Sequence, residues 1–325
     1  MIDYSFRTMR MWSMLGSCGA FGMAALELPE IDDRVVMLTS DLTTFSGLER
    51  FKAKYTDRLY NFGIAEQNMV GAAAGFAKEG FIPFATTYAT FASMRVADQV
   101  KVNMGYMCHP IKLVGLTSGF SVGVLGATHM SLEDIAVMRS IPNVTVLSPA
   151  DCTSVVKATI AAVHHPGPVY LRLSGGMNNP MVYKDDFDFQ IGKAIKLRDG
   201  DDIAVLATGS MVHYAQKAAE KLSERGVSVS VYDFPTIKPL DRDALRAVSG
   251  ARLLVTVEEH SRIGGFGSAV AEAFALERKK PPHLILGTDD RYLHAGRYED
   301  LLAGSGLSVE GIATNIYNAY QEVNT

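Results

Sequence analysis

Four short stretches carry side chains that could do chemistry. Asn61-Phe62-Gly63-Ile64-Ala65-Glu66-Gln67-Asn68-Met69 puts a carboxylate, Glu66, where a loop turns into a helix. On residue chemistry alone that is an ordinary place for an acid, because it complements the helix dipole. Tyr88, Phe91 and Met94 recur at i, i+3, i+6 and would line one side of an early helix, as core packing or as a pocket wall. His129 closes Gly126-Ala127-Thr128-His129 behind a glycine-rich loop, a position that suits a cap, a surface group or a ligand contact. Asp41 and Leu42 follow a short apolar run. His164, His165 and His260 fall at turns or strand ends and are assigned no catalytic role. Cys18, Cys108 and Cys152 are too far apart for a CxxC pair or a zinc spacing, and a sparse, odd count fits a reducing, cytoplasmic setting.

These residues need a scaffold, and the hydrophobic pattern supplies one. Apolar strand-like runs at 35–38, 82–85, 111–116, 144–147 and 169–173 alternate with helical runs at 64–78, 89–104, 131–140 and 150–163. Ser131, with Asp134 three residues on, is read as the start of the third of these helices. The alternation predicts a mainly parallel sheet covered by helices. Polarity rises across 181–202, read as a charged linker with a short hairpin. A second, smaller α/β unit follows, with strands at 203–207, 227–232, 253–257 and 283–286 and helices at 211–225, 242–248 and 267–277. The expected division is 1–185 and 186–325.

The 325 residues are 48% hydrophobic and 20% charged, with a net charge of −4. That is enough chain for two cored domains, and it argues against a nucleic-acid surface or a disordered acidic chain. Arg7 and Arg10 precede an apolar run from Met11 to Leu26, in which Leu15-Gly16-Ser17-Cys18 imitates a lipoprotein cleavage box. Gly16, Gly19 and Gly22 punctuate the run, and it leads into the first strand, so it reads as a first helix. It is too short to span a membrane, which takes ~20 apolar residues.

The Gly63-to-Met69 segment resembles the pyrimidine-domain signature of transketolases and deoxyxylulose-phosphate synthases. The resemblance extends along almost the whole chain through Ser40-Asp41-Leu42, Thr128-His129, Ser148-Pro149-Ala150-Asp151, Val257-Glu258-Glu259-His260, Ile263-Gly264-Gly265-Phe266-Gly267-Ser268 and Gly287-Thr288-Asp289-Asp290-Arg291. It implies a thiamine-binding fold followed by a transketolase C-terminal domain, and a two-carbon ketol transfer dependent on thiamine diphosphate. It also implies roles. Glu66 would hydrogen-bond N1′ of the cofactor's aminopyrimidine and favour the imino form, whose exocyclic nitrogen can take the thiazolium proton. Phe91, with Tyr88 and Met94, would wall the pyrimidine; Asp41 and Leu42 would lie near the cofactor. His129 would contact substrate oxygen near the reacting carbon, and Ser46 would help hold a substrate phosphate.

No Gly-Asp-Gly followed some 25–30 residues later by Asn occurs in the chain. In the resembled family that motif binds Mg2+ and the diphosphate. The resemblance therefore implies half of a split enzyme, paired with an N-terminal subunit that carries the motif, in a heterotetramer acting on small sugar-like substrates. Three positions depart from the family pattern. Leu125 stands where an aspartate reads a sugar hydroxyl, Thr117 where a histidine contacts phosphate, and Gly175 where an arginine does so. These departures predict an atypical substrate, unless Arg172 or the partner compensates. The alternatives are the beta subunit of a 2-oxo acid dehydrogenase decarboxylase, a deoxyxylulose-phosphate-synthase-like decarboxylase, and a degenerate regulatory half.

Overall fold

A computed structural model describes residues 2–278 and 280–323. Its first half contains α1 (Phe6–Ile31), β1 (Val35–Thr39), α2 (Glu49–Lys54), β2 (Leu59–Asn61), α3 (Glu66–Lys78), β3 (Ile82–Tyr88), α4 (Ala97–Gln99), β4 (Lys112–Ser118), α5 (Asp134–Ser140), β5 (Thr145–Leu147), α6 (Cys152–His164) and β6 (Val169–Ser174). Its second half contains β7 (Ile195–Arg198), β8 (Ile203–Ala207), α7 (Met211–Glu224), β9 (Val229–Asp233), β10 (Thr236–Lys238), α8 (Arg242–Ala247), β11 (Leu253–Ser261), α9 (Phe266–Ala273), β12 (His283–Thr288), α10 (Tyr298–Gly304) and α11 (Val309–Val323).

The first sheet runs β10-β5-β6-β4-β3-β1-β2 and the second β12-β11-β8-β9-β7. All pairings are parallel except the two edges, β10 on β5 and β7 on β9. Buried runs such as Val35-Val36-Met37-Leu38 and Val169-Tyr170-Leu171 suit strands covered on both faces. One face of the first sheet packs α1 and α6 through Trp12, Phe21, Phe84 and Val156. The core on the other face continues into the second unit through Leu206, Phe234 and Phe266.

The charged stretch before β8 is no hairpin. β7 is a single antiparallel edge strand on β9, and Tyr183 and Val182 donate backbone N–H groups to Asp151 at 3.0 and 2.8 Å. Its charges sit on turns and on an exposed edge, where charge blocks unwanted strand pairing. β10 departs further from a two-bead arrangement: a strand from the second half closes the edge of the first sheet.

Two helix expectations change. α5 begins at Asp134, and Ser131 caps nothing; its backbone instead bridges Gly119. Asp134 is drawn inward by Arg172 and Tyr170, each donating to Oδ2 at 2.8 Å. The expected helix at 89–104 is divided into π-type turns, Phe91–Arg95 and Val100–Tyr106, around α4. α1 is interrupted at Gly16, and among the described residues no helix is long and apolar enough to cross a membrane.

Candidate active site

The expected site residues gather at the carboxyl ends of the parallel strands of the first sheet, where ligands of α/β proteins bind. Asp41 and Leu42 follow β1, Glu66 follows β2, Tyr88 ends β3, Thr117 lies at the end of β4, and Gly175 follows β6. Asn61 ties two of these ends together. Its side-chain amide donates to Asp41 Oδ1 at 2.9 Å, while its oxygen accepts the N–H groups of Asp41 at 3.0 Å and Gly63 at 2.9 Å. That clamp fixes the turn from which α3 starts, and so fixes the place of Glu66.

Glu66 is almost fully buried. Arg95 Nη1 donates to its Oε1 at 2.9 Å, and Thr87 Oγ1 lies 3.5 Å away. The Arg95 guanidinium also stands 3.8 Å over the Phe91 ring. Phe91 meets Tyr88 at 6.0 Å and His129 at 5.5 Å between ring centroids, and Tyr88 meets His129 at 5.9 Å. Phe45 extends this cluster through Tyr88 at 6.2 Å. Tyr88, half-buried, has its hydroxyl pKa raised by burial and, less, by Cys18. The His129 Nδ1 lies 3.0 Å from Thr128 Oγ1.

Thus Glu66, Tyr88, Phe91 and His129 form one wall, while Asp41 is linked to it through Asn61. Met94 does not join the rings and is largely exposed, because residues three apart no longer share a face in the wider π-type turn. Ser46 is fully buried; its hydroxyl donates to the Leu42 carbonyl at 2.8 Å and lies 3.1 Å from Thr86 Oγ1. It offers no free donor to a phosphate.

The loop that carries His129 is held by the second unit. Gly119 has φ +66, and a Cβ there would stand 2.2 Å from Glu259 Oε1. The same carboxylate accepts the Phe120 N–H and the hydroxyls of Ser210 and Tyr298. Burial raises the pKa of Glu259, and raises that of Glu258 to about 7 against two N–H donors at the start of α9. His260 is held neutral, its pKa pushed down to about 4 by burial. Its Nε2 accepts the Ala136 N–H, and its Nδ1 faces the Ser261 carbonyl. The Glu258-Glu259-His260 run is therefore a buried joint between the two units.

The three departures have distinct surroundings. Leu125 is half-exposed in the short turn Gly123–Leu125. Thr117 has φ +53, and its buried hydroxyl has no partner. Gly175 has φ +78, and any Cβ would stand 2.6 to 2.8 Å from the Asn179 amide group, so a side chain there strains backbone and neighbour alike. Arg172 does not compensate. It is buried, with Nε on Asp134 Oδ2 at 2.8 Å and Nη2 on the Glu259 carbonyl at 2.8 Å, so its guanidinium is not available to an anion.

Residues 16–179 match the transketolase pyrimidine binding domain and residues 192–312 the transketolase C-terminal domain. The chain belongs to the transketolase family. It is 38% identical over 302 residues to the 6-deoxy-6-sulfo-D-fructose transketolase subunit of a Clostridium species, covering 92% of each chain. It is 37% identical over 302 residues to an apulose-4-phosphate transketolase subunit of Phocaeicola vulgatus, covering 92% of this chain and 96% of that one. Among solved structures it resembles a split gene transketolase described as an inactive beta4 tetramer, with TM-score 0.84, 33% identity and coverage of 94% and 98%. Thiamine diphosphate dependence follows from the family.

The wall fits the pyrimidine half of that cofactor. A flat N–H donor already lies at stacking distance on Phe91 while bonded to Glu66. An aminopyrimidine ring offers the same shape and, protonated at N1′, the same donor to the carboxylate. Sequence reading missed Arg95, Asn61 and Phe45. Only Arg95, four residues beyond Phe91, carried a signal, as a cation beside an expected aromatic pocket wall.

Proposed function

We propose that this chain is the pyrimidine-side half of a split transketolase that moves a two-carbon ketol unit from a ketose-like donor to an aldehyde. The observation that carries the reading is the buried Glu66 carboxylate, which together with the Phe91 ring holds a flat N–H donor, the Arg95 guanidinium. Glu66 holds a proton at N1′ of the bound aminopyrimidine, Phe91 and Tyr88 wall the ring, and Asp41 and Leu42 border it. His129, oriented by Thr128, donates to a substrate oxygen near the reacting carbon. Thiamine diphosphate, when bound, supplies the acidic thiazolium carbon that makes a carbanion accessible.

An N-terminal partner chain with a Gly-Asp-Gly site supplies the ligands for Mg2+ and the diphosphate, in a cytoplasmic heterotetramer. Exposed apolar side chains on the site segments, Ile64, Met94, Val124 and Leu125, support burial under such a partner. The division at 185/186 separates the pyrimidine-binding half from the half that braces its His129 loop. Leu125, Thr117 and Gly175 support a donor other than the usual phosphorylated ketoses. The relative named for a sulfonated ketose fits that departure.

The test is reconstitution with the partner chain. Ketol transfer that needs both chains, thiamine diphosphate and Mg2+ is the expected result; transfer by this chain alone would refute the split.

A further inference from the structure

We infer that Arg95 is the resident occupant of the pyrimidine subsite, so that the cofactor enters by exchange rather than into an open slot; the inference rests on the reading of Glu66 and Phe91 above. Three observations converge on one guanidinium. It lies 3.8 Å over the Phe91 ring, it donates to Glu66 Oε1 at 2.9 Å, and its side chain is 42% exposed while that of Glu66 is 4% exposed. A planar, N–H-donating group stacked on the ring and bonded to the carboxylate makes both contacts expected of the aminopyrimidine. The two groups cannot occupy the same face of Phe91 together.

The backbone is built for one group to leave. Gln67, from the first turn of α3, donates its amide to the Arg95 carbonyl at 3.1 Å, which holds the main chain independently of the guanidinium. Arg95 closes a π-type turn, and among the described residues Glu66 is its one side-chain ion-pair partner. The cation–π contact is modest in strength, and the guanidinium end of the ion pair, 42% exposed, is open to water on leaving. The arginine keeps a buried carboxylate paired while the subsite is unfilled, and so avoids the larger penalty of a lone buried charge. Its release on ring entry lowers the apparent affinity for the pyrimidine by the fraction of time that it occupies the slot.

The experiment uses the isolated full chain and 4-amino-5-hydroxymethyl-2-methylpyrimidine as probe, with binding followed by ligand-observed NMR or calorimetry. Arg95→Ala and Arg95→Gln should each bind the probe about tenfold more tightly than the parent, and Glu66→Ala introduced into either should abolish the gain. Thermal unfolding confirms the fold of each variant. Probe affinity unchanged or weakened in both arginine variants, with Glu66→Ala still abolishing binding to the parent, overturns the exchange while the Glu66 reading survives. Probe binding indifferent to Glu66→Ala overturns both.

Discussion

Arg172→Met offers the sharpest test of whether Arg172 is structural or grips substrate phosphate. The guanidinium is 1% exposed and Asp134 0%. Asp134 Oδ2 accepts from Arg172 Nε and Tyr170 Oη, both at 2.8 Å, and Arg172 Nη2 reaches the Glu259 carbonyl across the joint between the units. Removing the arginine leaves a buried carboxylate with one neutral donor and orphans that carbonyl. Breaking a buried pair from one side costs about 3–5 kcal/mol. With a urea slope of about 3 kcal/mol/M, the midpoint should fall by about 1–2 M. Arg172→Met with Asp134→Leu removes both charges and should recover most of the loss. The assay is urea unfolding of the isolated chain followed by circular dichroism. A loss under about 1 kcal/mol, accompanied in the complex by a raised KM for phosphorylated donors only, would show that the pairing is dispensable and that the arginine serves substrate.

Further outcomes follow from the same geometry. Calorimetry of the isolated chain with thiamine diphosphate and Mg2+ should show only weak binding; micromolar, magnesium-dependent binding would sink the split-subunit account. In the complex, sulfonated, deoxy or unphosphorylated ketoses should outperform xylulose 5-phosphate and fructose 6-phosphate, because two lost charge-assisted contacts of about 1.5–3 kcal/mol each cost roughly a hundredfold or more; ordinary efficiency with xylulose 5-phosphate would refute this. Burial pushes the His283 pKa down to about 4, so below pH 6.5 the unfolded chain takes the proton first. His283 therefore removes stability as pH falls from 6.5 to 4, by up to about 3 kcal/mol, and nothing further below 4. His283→Gln should make that part of the urea-midpoint profile less steep, with the like contribution of His260 remaining, and an unchanged slope would contradict the assignment.

Much of this was legible before the fold was known because strands buried on both faces announce themselves as apolar runs, as at 35–38 and 169–173. Glu66 and His129 stood out through the segments around them, not through their own chemistry, and their roles remain proposals. What escaped prediction depends on tertiary contact. β10 is three residues long and acquires meaning only against β5. The start of α5 is decided by the pull of buried Arg172 on Asp134, which overrides the capping signal at Ser131. Arg95 stands four residues beyond Phe91, a spacing that already puts both on one helix face; its bond to Glu66, from a different helix, is what spacing could not give.

The proposed role of Glu66 is to work on the aminopyrimidine. The measurement that meets it most directly is turnover of the reconstituted complex carrying Glu66→Gln, with assembly checked by size. An amide of the same shape cannot hold and release the proton, so turnover should fall ~100- to 10,000-fold while the complex still forms. Turnover within a few-fold of the parent would contradict the account.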